Sequence, residues 1–249
     1  MSQRSRNRRP QNVVVSDDYI EEEEQEEEFT PTQSQGECQL SEKDVKKLAG
    51  QVCNMLLATE LKKIPLKSSE IKKSIVSLKS RSAYKIVMNK AEEMMEHLFG
   101  YKIVSVKNNS YIMVNNMRKN IIKFEQIPRN EKVRRGLLIA ILAVIFMNEE
   151  KINAAGLESF LESLDFDLAT SSKTTIQEFV RQRYLETAVQ DLGDASMLMY
   201  KWGDRANAEF RKKEVLECIC QIYGNMKPSM WTYQWKLVNA EKNGEENSS

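Results

Sequence analysis

The sequence predicts a mainly α-helical protein with two small β-hairpins, arranged as two similar units in tandem. Helical periodicity gives way to an alternation of apolar and polar residues at 101–114, and the same change recurs at 185–202. Between the two hairpins, residues 137–147 (LLIAILAVIFM) form an unbroken apolar run. The run is shorter than the roughly 20 residues that cross a bilayer. We therefore expect a helix that is buried on all sides at the centre of the second unit.

Residues 1–40 are expected to form a disordered acidic arm. They carry ten acidic and four basic residues and few large apolar ones. The four arginines, all within residues 1–10, are typical of a nuclear import patch or a phosphate-binding arm. Val13, Val14 and Val15 precede an acidic run and resemble a SUMO-interacting motif, which adds a strand to a sheet edge. A solvated acidic tail is the favoured interpretation of the same residues, and neither interpretation is catalytic.

The first unit is predicted at 41–115 and begins with a helix capped by Ser41. One face of this helix is apolar and consists of Val45, Leu48, Val52, Met55 and Leu56. Leu57 and Leu61 lie off that face at 100° per residue. From spacing alone, packing of these two leucines on another part of the same chain is favoured over contact with a partner.

Two more helices and a hairpin complete the first unit. A short helix at 67–76 follows Pro65 and turns Ile71 and Ile75 inward, and a third helix spans 81–99. The inward face of the third helix is predicted to consist of Tyr84, Val87, Met88, Ala91, Met94, Met95 and Leu98, with His97 on the surface. Strands at 101–106 and 110–114 flank the turn residues 107–109. Three helices followed by a hairpin are the winged-helix variant of the helix-turn-helix.

The same plan is predicted again after a linker at 116–131, giving a second winged helix at 132–239. After the central helix comes a helix whose inward side chains are Leu157, Phe160, Leu161 and Leu164. Thr175 and Glu178 form a capping box for a third helix, with Ile176, Phe179, Val180 and Tyr184 inward. A hairpin at 185–190 and 197–202 precedes one closing helix at 205–223, which ends at Gly224. Trp231 and Trp235 are expected to pack back on that helix, and residues 240–249 to form a disordered tail.

The chain carries few residues suited to catalysis or metal binding. Its nine glycines form no phosphate-binding loop and no nucleophile elbow, and its single histidine is a poor general base candidate. The four cysteines contain no C-x-x-C pair, and no apolar signal region precedes them. We therefore expect free thiols in a reducing compartment, with Cys53, Cys218 and Cys220 in or near the core. The sequence predicts a binding protein without catalytic residues, metal or cofactor, and no membrane association.

Positive charge is concentrated between the two acidic ends. Residues 1–40 sum to −6 and residues 240–249 to −2, so the total of +1 leaves +9 for residues 41–239. A basic body of this kind suits a polyanion such as nucleic acid. Ordinary solvated lysines and glutamates account for the same charge about as well.

Several sequence blocks, in the same order along the chain, resemble the signature blocks of the melanoma-antigen (MAGE) homology domain. They are Met55-Leu56-Leu57, Lys62-Lys63-Ile64-Pro65, Leu98-Phe99-Gly100-Tyr101-Lys102, 136–148, Glu178–Glu186 and Trp202-Gly203 with Arg205, Ala206, Ala208 and Glu209. The resemblance covers residues 41–239. Within the family, the sequence is most similar to the ancestral branch, which supplies the MAGE subunit of the Smc five/six chromosome-maintenance complex. The chain departs from the family pattern at two places, where the family's loop geometry is not carried over. The stretch between Leu164 and Thr175 is shorter than in many relatives, and no proline follows Gly203.

The resemblance implies a tandem winged-helix adaptor with three kinds of partner. A RING-type ubiquitin ligase is expected to bind a dileucine that maps onto Leu56 and Leu57. Leu56 lies near the apolar face of its helix and is expected to be partly structural. We therefore expect Leu57, with Leu61 beside it, to make the main contact with the RING ligase. A kleisin subunit is expected in an apolar groove of the second unit, whose residues the sequence does not assign. Double-stranded DNA is expected within the assembled complex, in the nucleus and on chromatin. The candidate phosphate contacts are Lys67, Lys72, Lys73, Lys79, Lys173, Arg181, Arg183, Arg211, Lys212 and Lys213.

Two other functions remain open from the sequence. One is a MAGE adaptor for a different RING ligase that controls substrate ubiquitination. The other is a winged-helix regulator that reads DNA directly in the major groove. The second is disfavoured because the predicted third helix, 175–185, offers Arg181 and Arg183 but only Gln177 and Gln182 as amide readers of bases.

Overall fold

A computed structural model describes residues 40–75, 80–116, 128–164, 172–191 and 196–246. The arm with Val13, Val14 and Val15, the residue Lys79 and the linker residues 117–127 lie outside this part of the chain. No helix in the described ranges is both long enough and apolar enough to cross a membrane.

The first winged helix contains three α-helices and a three-stranded antiparallel sheet. Its elements are α1 (Glu42–Glu60), β1 (Leu66–Lys67), α2 (Ser68–Ser74), α3 (Arg81–Met94), β2 (Tyr101–Val106) and β3 (Ser110–Asn115). The strand order is β1-β3-β2, with Leu66 opposite Tyr111 and Ile103 opposite Met113. The side chain of Ser41 accepts a hydrogen bond from the amide of Asp44 and caps α1, as predicted. In the β2–β3 turn, Asn108 and Asn109 adopt positive φ angles of 61° and 47°, a conformation that asparagine tolerates.

The second winged helix repeats this order and adds helices at its end. Its elements are α4 (Arg129–Met147), β4 (Ile152–Asn153), α5 (Ala154–Ser163), α6 (Ser172–Arg181), β5 (Leu185–Asp191), β6 (Ser196–Trp202), α7 (Asp204–Glu209), α8 (Lys212–Ile222) and α9 (Thr232–Glu246). The strand order β4-β6-β5 matches that of the first sheet. The tandem winged-helix prediction is confirmed. The short strands β1 and β4 were not predicted, because two residues carry no readable alternation.

Each winged helix has its own hydrophobic core. The first is built on Val52, Leu56, Val87 and Ala91 of the crossing helices α1 and α3. The second surrounds α4, whose residues Ile141, Leu142, Ile145 and Phe146 are fully buried. The indole of Trp202 ties β6 to α4 by donating to the carbonyl of Leu142 at 2.8 Å. The exact limits of the two units, 41–115 and 132–239, stay a prediction.

Several details differ from the sequence-based expectations within the first unit. Leu98 was expected to face inward but is 67% exposed, because α3 continues as a wider π-helical turn at Met95–Phe99 that rotates the following residues. The helix expected at 67–76 begins at Ser68, since Leu66 and Lys67 pair with β3. His97 is on the surface, as predicted.

The second unit departs from the expectations in more places. Helix α4 begins at Arg129, inside the predicted linker, and is not buried on all sides, since Ile139 is 42% exposed. One side of α4 packs on α8 and β6, and Ile139 lies outside that contact. The capping box at Thr175 is wrong because α6 already begins at Ser172. Cys218 was expected near the core and is exposed, whereas Cys53 and Cys220 are buried.

The end of the chain also corrects the prediction. The single closing helix is in fact two, α7 and α8, separated by Phe210 and Arg211 in extended conformation. Gly224 has a φ of 75° just beyond α8, as a C-terminal glycine should. Trp231 packs edge-on against Tyr223, with ring centres 5.9 Å apart, and Trp235 packs on the second core. The tail expected from residue 240 is wrong as far as Glu246, because α9 continues through it.

Candidate partner-binding and DNA-binding surfaces

The three leucines proposed for the RING partner have different environments at the end of α1. Leu56 is buried in the first core at 1% exposure. Leu57 is half-buried and packs on the same core, although its spacing places it off the apolar face of α1, whereas Leu61 is 89% exposed at the C-cap of α1. Intramolecular packing is therefore confirmed for Leu57 and wrong for Leu61. Of the three side chains, Leu61 offers the largest free apolar surface to a partner.

The turn after α1 is held by side chains of the second winged helix. The amide nitrogen of Gln182 donates to the carbonyl of Lys62 at 3.2 Å. A guanidinium nitrogen of Arg205 donates to the carbonyl of Lys63, also at 3.2 Å. Lys63 has a φ of 57°, in the left-handed region that most residues with a side chain avoid. The exposed Leu61 thus lies directly before a turn whose carbonyls bond to the other unit.

Arg205 is the centre of the junction between the two winged helices. It is 1% exposed and donates to the carbonyls of Gln182 at 2.9 Å and Met113 at 3.2 Å, in addition to that of Lys63. Its charge is balanced by Glu209 at 3.2 Å and Glu60 at 3.6 Å. A buried cation requires both paired charges and satisfied donors, and this site supplies both.

Tyr184 and Glu209 extend the junction. The hydroxyl of Tyr184 donates to a carboxylate oxygen of Glu209 at 2.8 Å, and Arg205 lies over the tyrosine ring at 5.7 Å. Burial and the neighbouring Glu209 raise the pKa of Tyr184 well above its ordinary value, so it remains a neutral donor. The junction is therefore a buried polar network, in contrast to the two apolar cores beside it.

A second contact between the units lies at the wing of the first. The ammonium of Lys107 binds Glu186 of β5 at 2.7 Å, and its backbone amide donates to Asp204 at 3.3 Å. Lys201 also lies 3.4 Å from Glu186. Burial raises the pKa of Glu186, but the hydrogen bond from Lys107 and the charge of Lys201 outweigh it and hold the pKa below its ordinary value.

An open cavity of about 400 Å³ lies in the second winged helix. Apolar side chains from α4, β4, α5 and β6 share the lining with polar residues of the α4–α5 connection: Val144, Ile152, Phe160 and Met199, then Asn148, Glu149, Lys151 and Asn153. A concave site that combines apolar and polar groups can accept a side chain of a partner. The sequence did not assign these residues, because they come from four elements that meet only in the fold.

The candidate DNA contacts fall into two groups in the described structure. Lys67, Lys72 and Lys73 are exposed on β1 and α2, and Lys72 lies 5.4 Å from the centre of the Tyr84 ring. In the second unit Arg181, Arg211 and Lys213 are exposed, and Arg183 is half-buried with a φ of 65°. Lys212 binds Glu150 at 2.6 Å, so part of its charge is already neutralised. Lys79, and the side chain of Lys173, lie outside the described structure.

The described residues were also compared with the requirements of metal binding and of acid–base catalysis. Within the described ranges, no group of three or more His, Cys, Asp or Glu side chains could hold a metal ion. Burial strongly raises the pKa of Tyr84 and of Tyr184. The hydroxyl of Tyr84 donates to that of Tyr111, and the hydroxyl of Tyr184 donates to Glu209 in the junction. Sequence reasoning missed Arg205 and Gln182 as junction residues. Arg205 was visible in the Trp202-Gly203 block, but periodicity cannot show that a charged residue is buried between two domains.

Comparison with known proteins agrees with this architecture. The MAGE homology domain model matches residues 52–213. The "Non-structural maintenance of chromosomes element 3 homolog" of Homo sapiens is 28% identical over 204 residues, which cover 78% of this chain and 66% of that protein. "Melanoma-associated antigen F1" of Homo sapiens is 23% identical over 80% of this chain and 67% of its own length. The chain thus spans about two thirds of the length of these relatives.

A solved structure shows the same fold. A chain of a structure described as "Nse1-Nse3-Nse4 complex" superposes with a TM-score of 0.70 and 26% sequence identity, covering 80% of this chain and 100% of that one. The family model accounts for well over half of the sequence, and the fold agrees with it. The chain therefore belongs to the MAGE homology domain family.

Proposed function

We propose that this protein is a non-catalytic adaptor of the Smc five/six type, which joins a RING ubiquitin ligase resembling Nse1 to a kleisin subunit resembling Nse4. The observation that carries the proposal is the structural match to a chain of the Nse1-Nse3-Nse4 complex along that chain's full length. The similarity to element 3 homologues of human and mouse, at 28% and 29% identity, supports it. Ubiquitin transfer belongs to the RING partner in this proposal.

The RING partner is assigned to the C-terminal end of α1. Leu61 supplies exposed apolar surface there, Leu57 extends it, and Leu56 supports the helix from the core. Apolar side chains that become buried at the centre of an interface contribute most of its binding energy. The zinc ions of a RING domain would be held by the partner.

The kleisin partner is assigned to the cavity of the second winged helix. Val144, Phe160 and Met199 offer an apolar floor that suits a Leu or Phe side chain of an amphipathic helix. DNA contacts by the exposed lysines and arginines, and a role in DNA repair in the nucleus, complete the proposal.

The test is a tagged pull-down from cells of the source organism, read by mass spectrometry. Wild type is expected to recover a RING subunit, a kleisin and SMC ATPases. Leu61→Asp is expected to lose the RING subunit at least tenfold. Ile86→Asp is the matched control, because Ile86 is also exposed, at 53%, but lies on α3 away from the turn.

A second pair of variants addresses the kleisin. Met199→Glu places a charge in the cavity and is expected to lose the kleisin, whereas Val189→Glu on the neighbouring strand, where Val189 is 67% exposed, keeps it. Recovery of a different RING ligase without SMC subunits would instead identify an adaptor for substrate ubiquitination. Recovery of DNA but no ligase would refute the adaptor and favour a DNA-binding regulator.

A further inference from the structure

The turn after α1 depends on more than its own helix. Inside the turn, the amides of Lys62 and Lys63 donate to the carbonyls of Thr59 at 3.2 Å and Glu60 at 3.1 Å. The amide of Ile64 donates back to Thr59 at 3.2 Å. These bonds wind the chain back on itself and leave Lys63 with its positive φ. A residue with a side chain keeps such a conformation only when surrounding contacts over-determine it.

The surrounding contacts come from the second winged helix. The carbonyls of Lys62 and Lys63 accept from Gln182 and Arg205, and Glu60, in the last turn of α1, lies 3.6 Å from the same guanidinium. Arg205 is itself fixed, because its other donors bond to the carbonyls of Gln182 and Met113. A planar guanidinium with several donors in a fixed geometry can hold three backbone segments at once, which an ammonium cannot.

We propose that Arg205 is a positioning residue for the RING-partner surface. Its hydrogen bond to the carbonyl of Lys63 and its ion pair with Glu60 hold the turn 61–63 in place. The side chain of Leu61 is thereby presented in one orientation. The RING subunit then binds only a chain whose two winged helices are docked. This inference rests on the proposed function, which places the RING partner at Leu61.

The coupling acts in both directions. If docking of the winged helices raises the affinity for the RING subunit, binding of that subunit must stabilise the docked arrangement by the same factor. The RING subunit bound at the end of α1 would therefore also stabilise the orientation of the second winged helix.

The first test needs no partner. Hydrogen exchange is measured on the full chain as wild type, Arg205→Lys and Lys107→Ala. In Arg205→Lys the amides of Lys62, Lys63 and Ile64 are expected to exchange about tenfold faster, while those in the middle of α1 stay protected. Lys107→Ala is the matched control, because it removes an ion pair between the units, with Glu186, that does not involve the turn. Unchanged exchange at the turn in a folded Arg205→Lys chain would overturn the proposal.

The second test is a double-mutant cycle with the Nse1 homologue of the same organism as the probe. Leu61→Ala and Arg205→Lys are each expected to weaken binding about tenfold, and the double variant by much less than the hundredfold product. A purely structural role of Arg205 would give independent effects that multiply, which would refute positioning. Lys107→Ala combined with Leu61→Ala is expected to show independent effects.

Gln182→Ala provides a second route if Arg205→Lys does not fold. It removes the donor to the carbonyl of Lys62, together with a long hydrogen bond from Arg134 at 3.4 Å, but leaves Arg205 in place. It is expected to give the same changes at smaller amplitude. An unaltered turn and unaltered affinity in Gln182→Ala would count against the proposal. If Leu61→Ala alone leaves affinity unchanged, the proposed RING site is wrong and Arg205 cannot serve it, although exchange still reports whether Arg205 orders the turn.

Discussion

Gly203 lies too close to the main chain of a neighbouring turn for a side chain to fit there without a shift. A Cβ atom built there would lie 2.3 Å from the carbonyl oxygen of Arg183 and 2.8 Å from its carbonyl carbon. Both are main-chain atoms of the turn between α6 and β5, so they cannot rotate away. The close approach lets the amide of Arg205 reach the same Arg183 carbonyl at 2.9 Å.

Gly203→Ala is therefore expected to lower the free energy of unfolding by about 3 kcal/mol or more, through overpacking against backbone. Gly50→Ala is the matched control. It lies within α1 with nothing inside 4 Å of its Cβ, and it is expected to stabilise the protein by about 0.5–1 kcal/mol. Urea denaturation of both variants measures the difference. A Gly203→Ala protein as stable as wild type would contradict the packing described for this turn.

Residue roles were predictable where they follow from the position along one element. The burial of Val52, Leu56 and Phe179 follows from helical spacing alone. The roles of Arg205 and Gln182 do not, because their partners are up to 142 residues away along the chain and are backbone carbonyls, which every residue possesses. Spacing alone favoured intramolecular packing of Leu61, which is wrong because the chain turns away from its own core directly after this residue.

At the scale of elements, two helix N-termini offer a controlled comparison. Ser41 and Ser80 both occupy N-cap positions in extended conformation, before α1 and α3. The hydroxyl of Ser41 accepts from the amide of Asp44 at 3.2 Å, whereas Ser80 makes no such cap bond. Residue type alone would rank the two serines as equal caps.

Ser41→Ala is expected to destabilise the protein by about 1 kcal/mol, because an amide in the first turn of α1 loses its acceptor. Ser80→Ala is expected to change stability by less than about half of that. Thermal unfolding followed by circular dichroism measures both. Equal losses in the two variants would show that the cap bond of Ser41 contributes nothing specific.

The sequence predicted helices α1 to α6 and both hairpins, but not β1, β4 and α9, nor the break inside a continuous helical pattern. The hairpins were predictable because the period changes to two and Asn108 and Asn109 mark a turn. The break between α7 and α8 carries no glycine or proline, so Phe210 and Arg211 read as part of one helix. The break is set by tertiary contacts: the ring of Phe210 lies 6.3 Å from that of Tyr184 in the junction.

At the scale of the whole molecule, the contact between Lys107 and Glu186 makes the docking of the two units dependent on pH. The pKa of Glu186 in the folded protein lies below its ordinary value of 4.5. A carboxyl group whose pKa is lower in the folded protein than in the unfolded chain stabilises the folded state at any pH above its pKa in the unfolded chain. This contribution is lost as the pH falls through the pKa of the group in the folded protein.

Glu186→Gln is therefore expected to reduce the loss of melting temperature between about pH 5 and pH 3. Lys107→Ala should have a similar effect, and the double variant should add little to either, because both remove one interaction. Melting curves across this range provide the measurement. If Glu186→Gln steepened the acid loss, the direction assigned to its pKa would be wrong.

The basic surface predicts how the assembled complex responds to salt. With the RING and kleisin subunits bound, Lys72→Glu/Lys73→Glu is expected to weaken binding to double-stranded DNA and to flatten its salt dependence by about 0.9 per lost phosphate contact. Lys46→Glu/Lys47→Glu makes the same change of charge at exposed positions outside the candidate set. Fluorescence anisotropy at several salt concentrations separates the two. Equal losses in both variants would indicate attraction by net charge alone.

The way in which Arg205 joins the two winged helices determines which positions of the junction can accept substitutions. All three of its bonds across the junction and its neighbouring turn end on main-chain carbonyls, those of Lys63, Met113 and Gln182. An acceptor of this kind survives any substitution that leaves the backbone in place. The junction therefore constrains the side chain of Arg205 and its paired carboxylates Glu60 and Glu209, but not the side chains of Lys63 and Met113. Substitutions at Lys63 and Met113 can accumulate while the two domains keep the same assembly, provided that the arginine and its two carboxylates are retained.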